Sequence, residues 1–485
     1  MNIFIYLLEL MQGKEEIMKK TLITLVVILT TLYANANENT EAAVTIHEPS
    51  AKVESGLNKF DAGIDNWEEQ YLGAFTYPDA HLYHKYAEIR NSSEKMNIKI
   101  GKLLDLHKIE VFGGTKNMDL YSFMRDRADI HNYVLMRSDG TIMAEDYWNG
   151  TDVLTKNHLM SASKSFTSII AAIAADKGYF SFNDPVEKWI PEFIGSPLEG
   201  ISVQIFADMR SGIRNIDTKY DAEHHYHWSM GKWSTWDWAM ALSAGYNGFD
   251  IDKDGNKINK MTAHGRLDGI VDFLKVLAKN VKLGNKPGEG YNYKGVNTEI
   301  LGLVTERAVT KATGQNFSEF MGTELWQKAG FQEPVTAYMD LNHNRMPYSG
   351  GLNMTTRDFA IAAQLMVHEG KNYKGEQIVP KWFVDAVRNG NSDVKHAWKF
   401  PDNQEMIADA NGFYINQFRT IHINGRKISA MVGVNGQFNV IDWKTGNTLS
   451  IFASFGKPSG PTMISTFFNV IDALFKAAET TDTNK

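Results

Sequence analysis

Ser161 and Lys164 stand three residues apart at the start of an apolar segment. On an α-helix this spacing places the hydroxyl and the amine on one face, where a neutral lysine can accept the serine proton. A helix N-terminus adds unpaired N–H groups and a positive dipole beside the oxygen. The pair is therefore a candidate nucleophile and base for acyl transfer. A serine that only caps the helix is the alternative, because Ser-x-x-Lys also arises by chance.

The segment after Ser161 has the apolar spacing of a helix with one buried face. Residues at positions i, i+3, i+4 and i+7 are Phe166, Ile169, Ile170 and Ile173. Gly178 is placed to end this helix. Ahead of it, residues 133–136 and 141–143 are predicted strands joined by a tight Asp139-Gly140 turn. The nucleophile is thus expected where a strand pair leads into a buried helix.

The C-terminal part of the chain returns to strands. We expect strands near 428–432, 437–443 and 449–455, followed by a helix from Ile464 to Ala478. Between the early and the late strands the chain is mostly helical. This order predicts an α/β fold in which an antiparallel sheet is flanked by helices and a helical subdomain is inserted at about 180–345. A cleft between two such subdomains is a common place for an active site.

Composition limits the function classes. The chain has 485 residues, 43% hydrophobic and 22% charged, with a formal net charge of −7. This is a soluble globular composition, and the absence of a basic run argues against a nucleic-acid partner. The sequence contains no cysteine, which excludes disulfides, thiolate metal sites and a cysteine nucleophile.

The N-terminal region has the pattern of a secretion signal. Lys19 and Lys20 precede an apolar run at 21–33, which is too short to span a membrane, and Ala34-Asn35-Ala36 is a typical cleavage site. We expect residues 1–36 to comprise an upstream extension and a signal peptide at about 18–36. This predicts a periplasmic or secreted protein with no membrane contact after cleavage. A retained anchor helix is the alternative.

Two further segments complete the expected domain organisation. Residues 37–116 are polar and weakly patterned, and we interpret them as a linker followed by a packing arm with no assigned function. Residues 117–480 form the predicted catalytic domain, which contains the inserted helical subdomain.

Several ordered motifs resemble the serine β-lactamase and penicillin-binding superfamily. In chain order they are Ser161-Ala162-Ser163-Lys164, Asp184-Pro185-Val186 with Trp189-Ile190-Pro191, Met209-Arg210-Ser211-Gly212-Ile213, Pro287-Gly288 with residues 291–302, Gly350-Gly351-Leu352 with Thr355-Thr356-Arg357-Asp358, and Gly433-Val434-Asn435-Gly436-Gln437. The resemblance covers about 132–478, and it implies the fold and the acyl-enzyme chemistry of that superfamily.

Within the superfamily, two features most resemble the branch of 6-aminohexanoate-dimer hydrolases and esterases. They are the Val296-Asn297-Thr298-Glu299 stretch after the tyrosine motif and the Gly436-Gln437 pair. Penicillin-binding enzymes carry Lys or His at the head of the third motif, where this chain has Val434. A cation there would bind a substrate carboxylate, so an uncharged amide or ester is the favoured substrate class.

The resemblance implies a role for each site residue. Ser161 is the nucleophile, Lys164 the base or proton relay, and Tyr293 a second base and acid. Tyr291 is the rival tyrosine, but the distances in sequence to the flanking motifs favour Tyr293. The oxyanion hole is expected from the backbone N–H groups of Ser161 and Gln437. Asn435 and Gly436 complete this motif, with Gly436 expected to let the substrate approach the backbone; the alternative for the glycine is a strand bend.

Lys444-Thr445-Gly446 is a literal copy of the penicillin-binding third motif. It lies between two predicted strands, after Asp442-Trp443, and has the composition of a turn. The Gly433–Gln437 stretch already occupies the place of the third motif. We therefore interpret 444–446 as a hairpin turn.

Aromatic and histidine residues are concentrated between the second and the tyrosine motifs. In the superfamily this region covers the cleft, which makes Tyr220, His227 and Trp228 candidates for a substrate rim. Packing inside the fold is an equally weighted alternative. His224 and His227 could suggest a metal, but the sequence provides no identifiable third ligand.

Asp250, Asp252 and Asp254 begin a stretch that resembles a Ca²⁺ loop, although Met261 stands where such a loop has its last acid. The alternative is a polar Asp-Gly hairpin turn, and the sequence leaves both open.

Together these features predict an exported serine hydrolase that acts on a small amide or ester, with no metal or organic cofactor. Two alternatives stay open. One is an enzyme acting on D-amino-acid peptides, cell-wall peptides or β-lactams; the other is a catalytically silent protein that binds such molecules.

Overall fold

The structure is a computed structural model of the chain. It describes residues 43–214 and 235–482, apart from gaps at 50–51, 54–55, 57, 65, 70, 247–248, 260, 263–264, 402 and 458. Contacts divide the chain into residues 1–43 and residues 44–485, and all the elements below belong to the second unit. The predicted signal peptide lies outside the described residues.

The described strands are β1 (Val44–His47), β2 (Tyr86–Ile89), β3 (Lys99–Ile100), β4 (Glu110–Phe112), β5 (Asn117–Asp119), β6 (Ile130–Met136), β7 (Thr141–Tyr147), β8 (Asn157–His158), β9 (Phe249–Ile251), β10 (Lys257–Asn259), β11 (Met261–Thr262), β12 (Gly265–Arg266), β13 (Val335–Tyr338), β14 (Leu352–Met354), β15 (Phe413–Ile415), β16 (Phe418–Ile423), β17 (Arg426–Gly433), β18 (Gln437–Asp442) and β19 (Thr448–Ala453).

The described α-helices are α1 (Gly73–Thr76), α2 (Leu120–Asp126), α3 (Ser163–Asp176), α4 (Val203–Ala207), α5 (Thr235–Ser243), α6 (Ile270–Asn280), α7 (Gly295–Thr313), α8 (Phe317–Met321), α9 (Thr356–Val367), α10 (Lys381–Asn389), α11 (Ser392–Trp398) and α12 (Pro461–Asp482). Two single turns of 3₁₀ helix flank the site, at Met160–Ala162 and Val434–Gly436.

The main sheet has eight strands in the order β15-β16-β17-β18-β19-β6-β7-β3. The predicted strand pairs are all present, and β19 joins the C-terminal strands to β6 in antiparallel register. The sheet departs from the expected antiparallel pattern at one edge, where β3 pairs in parallel with β7. The predicted α/β fold class is confirmed, with helices packed on the sheet.

A second sheet has the order β1-β2-β13-β14-β8. Its first two strands come from the segment interpreted as a linker and packing arm, and β8 leads directly into the turn that carries Ser161. The arm therefore shares one sheet with the strand that precedes Ser161.

Buried helices support the main sheet. The helix α3 ends where Gly178 predicted, with Gly178 at φ 78°, and α12 packs Phe467, Val470, Ile471 and Leu474 into the core. The helix α7 begins at Gly295, inside the 291–302 stretch that resembles the tyrosine motif. Inside this helix, position 302 requires glycine, because the Tyr348 ring occupies the space that a side chain would need.

The Lys444–Gly446 segment forms the predicted turn between β18 and β19. Gly446 has φ 75°, and the Thr445 hydroxyl donates to Asp442 at 2.6 Å. The predicted domain limits at 37, 117, 180 and 345 remain predictions. Among the described residues, no helix is both long and apolar enough to cross a membrane.

Candidate active site

Ser161 lies in a tight turn between β8 and α3. Met160, the residue before it, is buried and has φ 49°, a left-handed conformation that is costly for a side chain of this size and is seen mainly at functional sites. The cap position of α3 is taken by Ala162, with no side-chain capping bond. The alternative of Ser161 as a helix cap is therefore wrong for this structure.

Lys164 is the side chain in contact with Ser161. Its Nζ donates to Ser161 Oγ at 2.8 Å and to the Ser349 carbonyl oxygen at 2.7 Å. Only 5% of the residue is exposed, so the amine is held in place rather than moving in solvent. The predicted nucleophile and base are brought together as the i, i+3 spacing indicated.

Tyr293 completes the group. Lys164 Nζ lies 5.4 Å from the centroid of the Tyr293 ring, and Tyr293 lines the same pocket as Ser161. Tyr291 is instead buried, and its hydroxyl donates to Glu405 at 2.8 Å. Of the two candidate tyrosines, the structure places Tyr293 at the site and Tyr291 in the core.

Arg419 is a site neighbour that sequence reasoning missed. Its guanidinium carbon lies 4.8 Å from the Tyr293 ring centroid, and it forms two hydrogen bonds to Glu405, at 2.6 and 2.8 Å. The same glutamate accepts from Tyr291, so one carboxylate holds both groups behind Tyr293. No motif marks Arg419, since it reaches the tyrosine from the distant strand β16.

Two buried carboxyl groups, those of Asp237 and Glu299, lie near Lys164. Asp237 lines the pocket and accepts from the Val296 N–H at 3.1 Å. Glu299 is fully buried and accepts from the Ser349 N–H at 2.8 Å. Burial raises the pKa of each carboxyl above its ordinary value, while the positive charge of Lys164 opposes that rise. Both place negative potential near the amine.

The third motif contributes Val434 to the pocket. Gln437 is 1% exposed, and its side chain donates to the carbonyl oxygens of Val434 and Ala453. Gln437 is not among the residues that line the pocket, and neither are Asn435 and Gly436. The role of the Gln437 N–H in an oxyanion hole therefore stays a prediction.

Gly436 packs against the last helix, and its predicted role in letting the substrate approach the backbone stays a prediction. A side chain there, at φ 96°, would meet the Phe467 ring of α12 at 2.3 Å. The glycine is thus required by core packing. Gly433 is the position where the backbone closely approaches the nucleophile turn, because a Cβ there would lie 2.4 Å from the Leu159 oxygen and 2.9 Å from Met160 Cβ.

The pocket is a small cleft with a cavity volume of about 60 Å³ that opens to solvent. Its apolar lining residues are Met160, Met240, Ala241, Ala244, Pro347 and Val434. The polar lining includes Glu68 from the arm and Tyr246. Sequence reasoning assigned the arm no function, because its polar, weakly patterned sequence does not show which surface it covers.

The predicted rim residues Tyr220, His227 and Trp228, and the pair His224 and His227, lie outside the described residues. Trp236, in the adjoining described segment, is 1% exposed and packs edge-on against Phe273 at 6.3 Å. This tryptophan belongs to the core.

The Asp250–Asn256 stretch is a hairpin between β9 and β10. Asp252 caps the turn by accepting from the N–H groups of Asp254 and Asn256, both near 2.9 Å. Within the described part of the chain, no three acidic or histidine side chains are grouped to hold a metal ion. Of the two possibilities for this segment, a Ca²⁺ loop or a hairpin turn, the structure shows a hairpin turn.

Comparison with known proteins gives consistent matches. A family model of the β-lactamases matches residues 134–443. The chain is 25% identical over 319 residues to the 6-aminohexanoate-dimer hydrolase of Paenarthrobacter ureafaciens, covering 65% of this chain and 71% of that protein. It is 20% identical over 222 residues to penicillin-binding protein 4* of Bacillus subtilis strain 168, covering 44% and 40% of the two chains.

A solved structure from Bacillus anthracis, assigned as a 6-aminohexanoate-dimer hydrolase, has the same fold. It superposes with a TM-score of 0.70 at 20% identity and covers 90% of this chain and 99% of its own. This extent includes most of the described chain.

Proposed function

Because the chain belongs to the β-lactamase family of serine hydrolases, we propose that it cleaves an amide or carboxylic ester through a covalent acyl intermediate on Ser161. The observation that carries this proposal is the 2.8 Å hydrogen bond between Lys164 Nζ and Ser161 Oγ. Nζ is aimed by its second bond, to the Ser349 carbonyl. With the amine neutral, the same contact carries the serine proton towards the nitrogen.

The proposed reaction has two halves. Ser161 Oγ attacks the substrate carbonyl while its proton passes to Lys164 and Tyr293, and the tetrahedral intermediate collapses as the leaving amine or alcohol takes that proton. Water then attacks the acyl-serine carbonyl, loses a proton to the same pair, and releases the acid. Ser161 Oγ regains its proton, so the enzyme returns to its starting state.

The developing oxyanion requires two N–H donors. The Ser161 N–H is one, and the third motif supplies the other, for which the sequence favoured Gln437. Val434 is a second candidate, since it lines the pocket whereas Gln437 is 1% exposed and hydrogen-bonded within the motif. Both donors belong to one turn, so the chemistry is the same with either.

We propose a small linear amide or ester as the substrate class. Val434 supplies no charge for a substrate carboxylate, and Lys164 is the only cation among the described residues that line the pocket. The 6-aminohexanoate-dimer hydrolase relative supports an amide. The relative named as a penicillin-binding protein supports cell-wall peptides as the alternative, over a smaller part of the chain.

The test is hydrolysis of p-nitrophenyl acetate and butyrate by the wild type and by Ser161→Ala, with intact mass recorded after mixing. We expect turnover and a transient acyl adduct in the wild type and neither in the variant. Ser163→Ala is the matched control, because this serine lies on the same turn but is fully buried and accepts from the Leu352 N–H at 3.3 Å. Equal rates in wild type and Ser161→Ala would contradict the proposal.

The same preparation separates the substrate classes. The 6-aminohexanoate linear dimer, a peptide ending in D-Ala-D-Ala and a chromogenic cephalosporin are compared by kcat/KM. We expect the linear amide to be the best of the three. A higher value for the peptide or the cephalosporin would favour the cell-wall alternative.

We also propose that the protein is exported, on the basis of the basic, apolar and small-residue segments at 18–36. N-terminal sequencing of the mature protein is the test. A start near Asn37 would support export, and a mature start well before it would contradict the proposed cleavage.

A further inference from the structure

The helix that follows Tyr293 is capped by a side chain from another helix. The helix α7 begins at Gly295, directly after Lys294, and Lys294 at the cap position supplies no side-chain capping bond. Asp237 on α5 takes that role, because its carboxylate accepts from the Val296 N–H at 3.1 Å. A carboxylate in this place satisfies an N–H that the helix leaves unbonded, and it meets the positive end of the helix dipole.

The backbone at Gly295 leaves room for this carboxylate. A Cβ at Gly295 would lie 2.8 Å from Asp237 Oδ1, so the carboxylate packs directly on the start of α7. Burial raises the pKa of the Asp237 carboxyl, whereas the positive charges of Lys294 and Lys164 and the N–H groups at the start of α7 oppose that rise. These opposing groups favour the ionised form, which is the form that caps a helix best.

Tyr293 lies between two points at which the backbone is fixed. On one side, the Asn292 N–H donates to the carbonyl oxygen of buried Met209 at 2.9 Å. On the other side, Asp237 holds the first turn of α7. Removal of the Asp237 carboxylate would free the second point and let Tyr293 shift relative to Lys164.

A small shift of this tyrosine matters for the proposed reaction. Lys164 Nζ lies 5.4 Å from the centroid of the Tyr293 ring, and the proposed role of Tyr293 is to give a proton to the leaving group. Proton transfer requires hydrogen-bond distance, and a misplacement of about 1 Å costs up to about 10²-fold in rate.

We infer that Asp237 is a positioning residue that holds Tyr293 in place to protonate the leaving group. It contacts the start of α7 and acts on the reaction through Tyr293. The inference rests on the proposed function of the pocket and extends it to a residue outside the sequence motifs.

The test compares p-nitrophenyl butyrate with ethyl butyrate, which share an acyl group. Only the ethyl ester has a leaving group that must be protonated. We expect Asp237→Ala to lower kcat/KM on ethyl butyrate by about tenfold or more, and to lower it much less on the p-nitrophenyl ester. Asp237→Asn keeps a capping oxygen and should retain the wild-type ratio of the two. An unchanged ratio in Asp237→Ala, or the same selective loss in Asp237→Asn, would overturn the inference.

A double variant shows whether the effect passes through the tyrosine. In a Tyr293→Phe background, Asp237→Ala should cost less than about twofold on ethyl butyrate, because both changes remove the same function. A full further loss would contradict the inference. If Asp237→Ala does not fold, Gly295→Ala displaces the same carboxylate and should give the same selective loss on the ethyl ester.

Asp119→Ala is the matched control. Its carboxylate caps α2 by accepting from the Ser122 N–H at 2.9 Å, and Asp119 is not among the described residues that line the pocket. The variant should lower the melting temperature and leave the ratio of the two esters unchanged. A changed ratio would mean that the loss of any helix cap produces the effect, and it would overturn the inference.

If wild type hydrolyses neither ester, the proposed function fails instead, and the position of the tyrosine is measured directly. The protein is labelled with 3-fluorotyrosine, and the ¹⁹F resonance of Tyr293 is assigned by its loss in Tyr293→Phe. A resonance that moves in Asp237→Ala but stays in place in Asp237→Asn would support the inference. An unmoved resonance in folded Asp237→Ala would overturn it.

Discussion

Glu299 holds the backbone of Ser349 at the point where that residue holds Lys164. The carboxylate accepts the Ser349 N–H at 2.8 Å, and the carbonyl of the same residue accepts Lys164 Nζ at 2.7 Å. A second bond from the Tyr348 N–H, at 3.2 Å, fixes the carboxylate. Glu299 therefore positions the lysine through the backbone of a single residue and adds negative charge near it.

Glu299→Gln should lower kcat/KM by about tenfold, the cost of weakening one charge-assisted hydrogen bond. Glutamine keeps one acceptor oxygen but replaces the other with an amide NH₂, so the bond to the Ser349 N–H is weakened and Lys164 is held less firmly. Steady-state hydrolysis of p-nitrophenyl butyrate measures the loss.

The control is Glu306→Gln, on the same helix. Glu306 accepts from Arg345 at 2.7 Å and from the Tyr348 hydroxyl at 2.6 Å, so its replacement should lower the melting temperature and leave kcat/KM nearly unchanged. Wild-type kcat/KM in folded Glu299→Gln would contradict the role of Glu299 in positioning Lys164.

Tyr293→Phe should lower kcat/KM by about 10²- to 10⁴-fold on an alkyl amide, because the leaving amine then lacks its proton donor. The loss should be smaller on a p-nitrophenyl ester, whose leaving group departs as a stable anion. Steady-state rates on the two substrates measure the difference. Tyr291→Phe removes only the hydrogen bond to Glu405 and should keep nearly full activity; the reverse pattern would make Tyr291 the catalytic tyrosine.

Gly433→Ala should reduce kcat by about 10²-fold or more, the typical loss when an oxyanion donor is displaced. The added methyl group would lie 2.4 Å from the Leu159 oxygen, so the third motif must move away from the Ser161 turn. Gly456→Ala is the control, since a Cβ there has no neighbour within 4 Å. Wild-type kcat in folded Gly433→Ala would contradict the close approach.

Three buried histidines, two in the arm and one on β8, should make stability sensitive to acid. Burial lowers the pKa of His81 to about 3, of His84 to about 4 and of His158 to about 3. Since these folded-state values lie below the unfolded value, their stabilising contribution is present above about pH 6.5 and is lost as the pH falls. Between its unfolded and folded pKa values, each histidine lowers the free energy of unfolding by about 1.4 kcal/mol for every pH unit of acidification.

His81→Phe isolates one of these groups, because the ring contact with Tyr86 at 4.9 Å can be kept. Below about pH 6.5 wild type should lose free energy of unfolding relative to the variant, as measured by urea unfolding at several pH values. Burial raises the pKa of Asp208 and Asp358 to about 6, so these two carboxyl groups favour the folded state as the pH falls. Their contribution is the same in wild type and in the variant. A constant difference between the two proteins would contradict the prediction.

Local patterns predicted the elements around Ser161. The i, i+3, i+4, i+7 spacing predicted the helix α3, but the expectation of a single buried face is wrong, because the helix is buried on all sides from Ser163 to Ala174. The turn composition of residues 444–446 distinguished a hairpin from a motif. Tyr293 was separated from Tyr291 by its distance to the neighbouring motifs. These features depend on nearby residues, which a sequence displays directly.

The rest depends on contacts between distant segments. Glu68 and Arg419 reach the site from the arm and from β16, and neither has a local signal. The requirement for glycine at position 436 comes from Phe467 on the last helix, a neighbour that the local sequence does not show. Even Glu299, which stands in a recognisable motif, reveals its bond to Ser349 only in three dimensions.

The antiparallel pairing of β19 with β6 has a consequence for the life of the polypeptide. Ser161 and Lys164 leave the ribosome long before Val434 and the strand that closes the sheet. A growing chain therefore carries Ser161 and Lys164 while it still lacks the wall that Val434 contributes. The pocket is complete only when β19 has paired with β6 and the two ends of the domain have met.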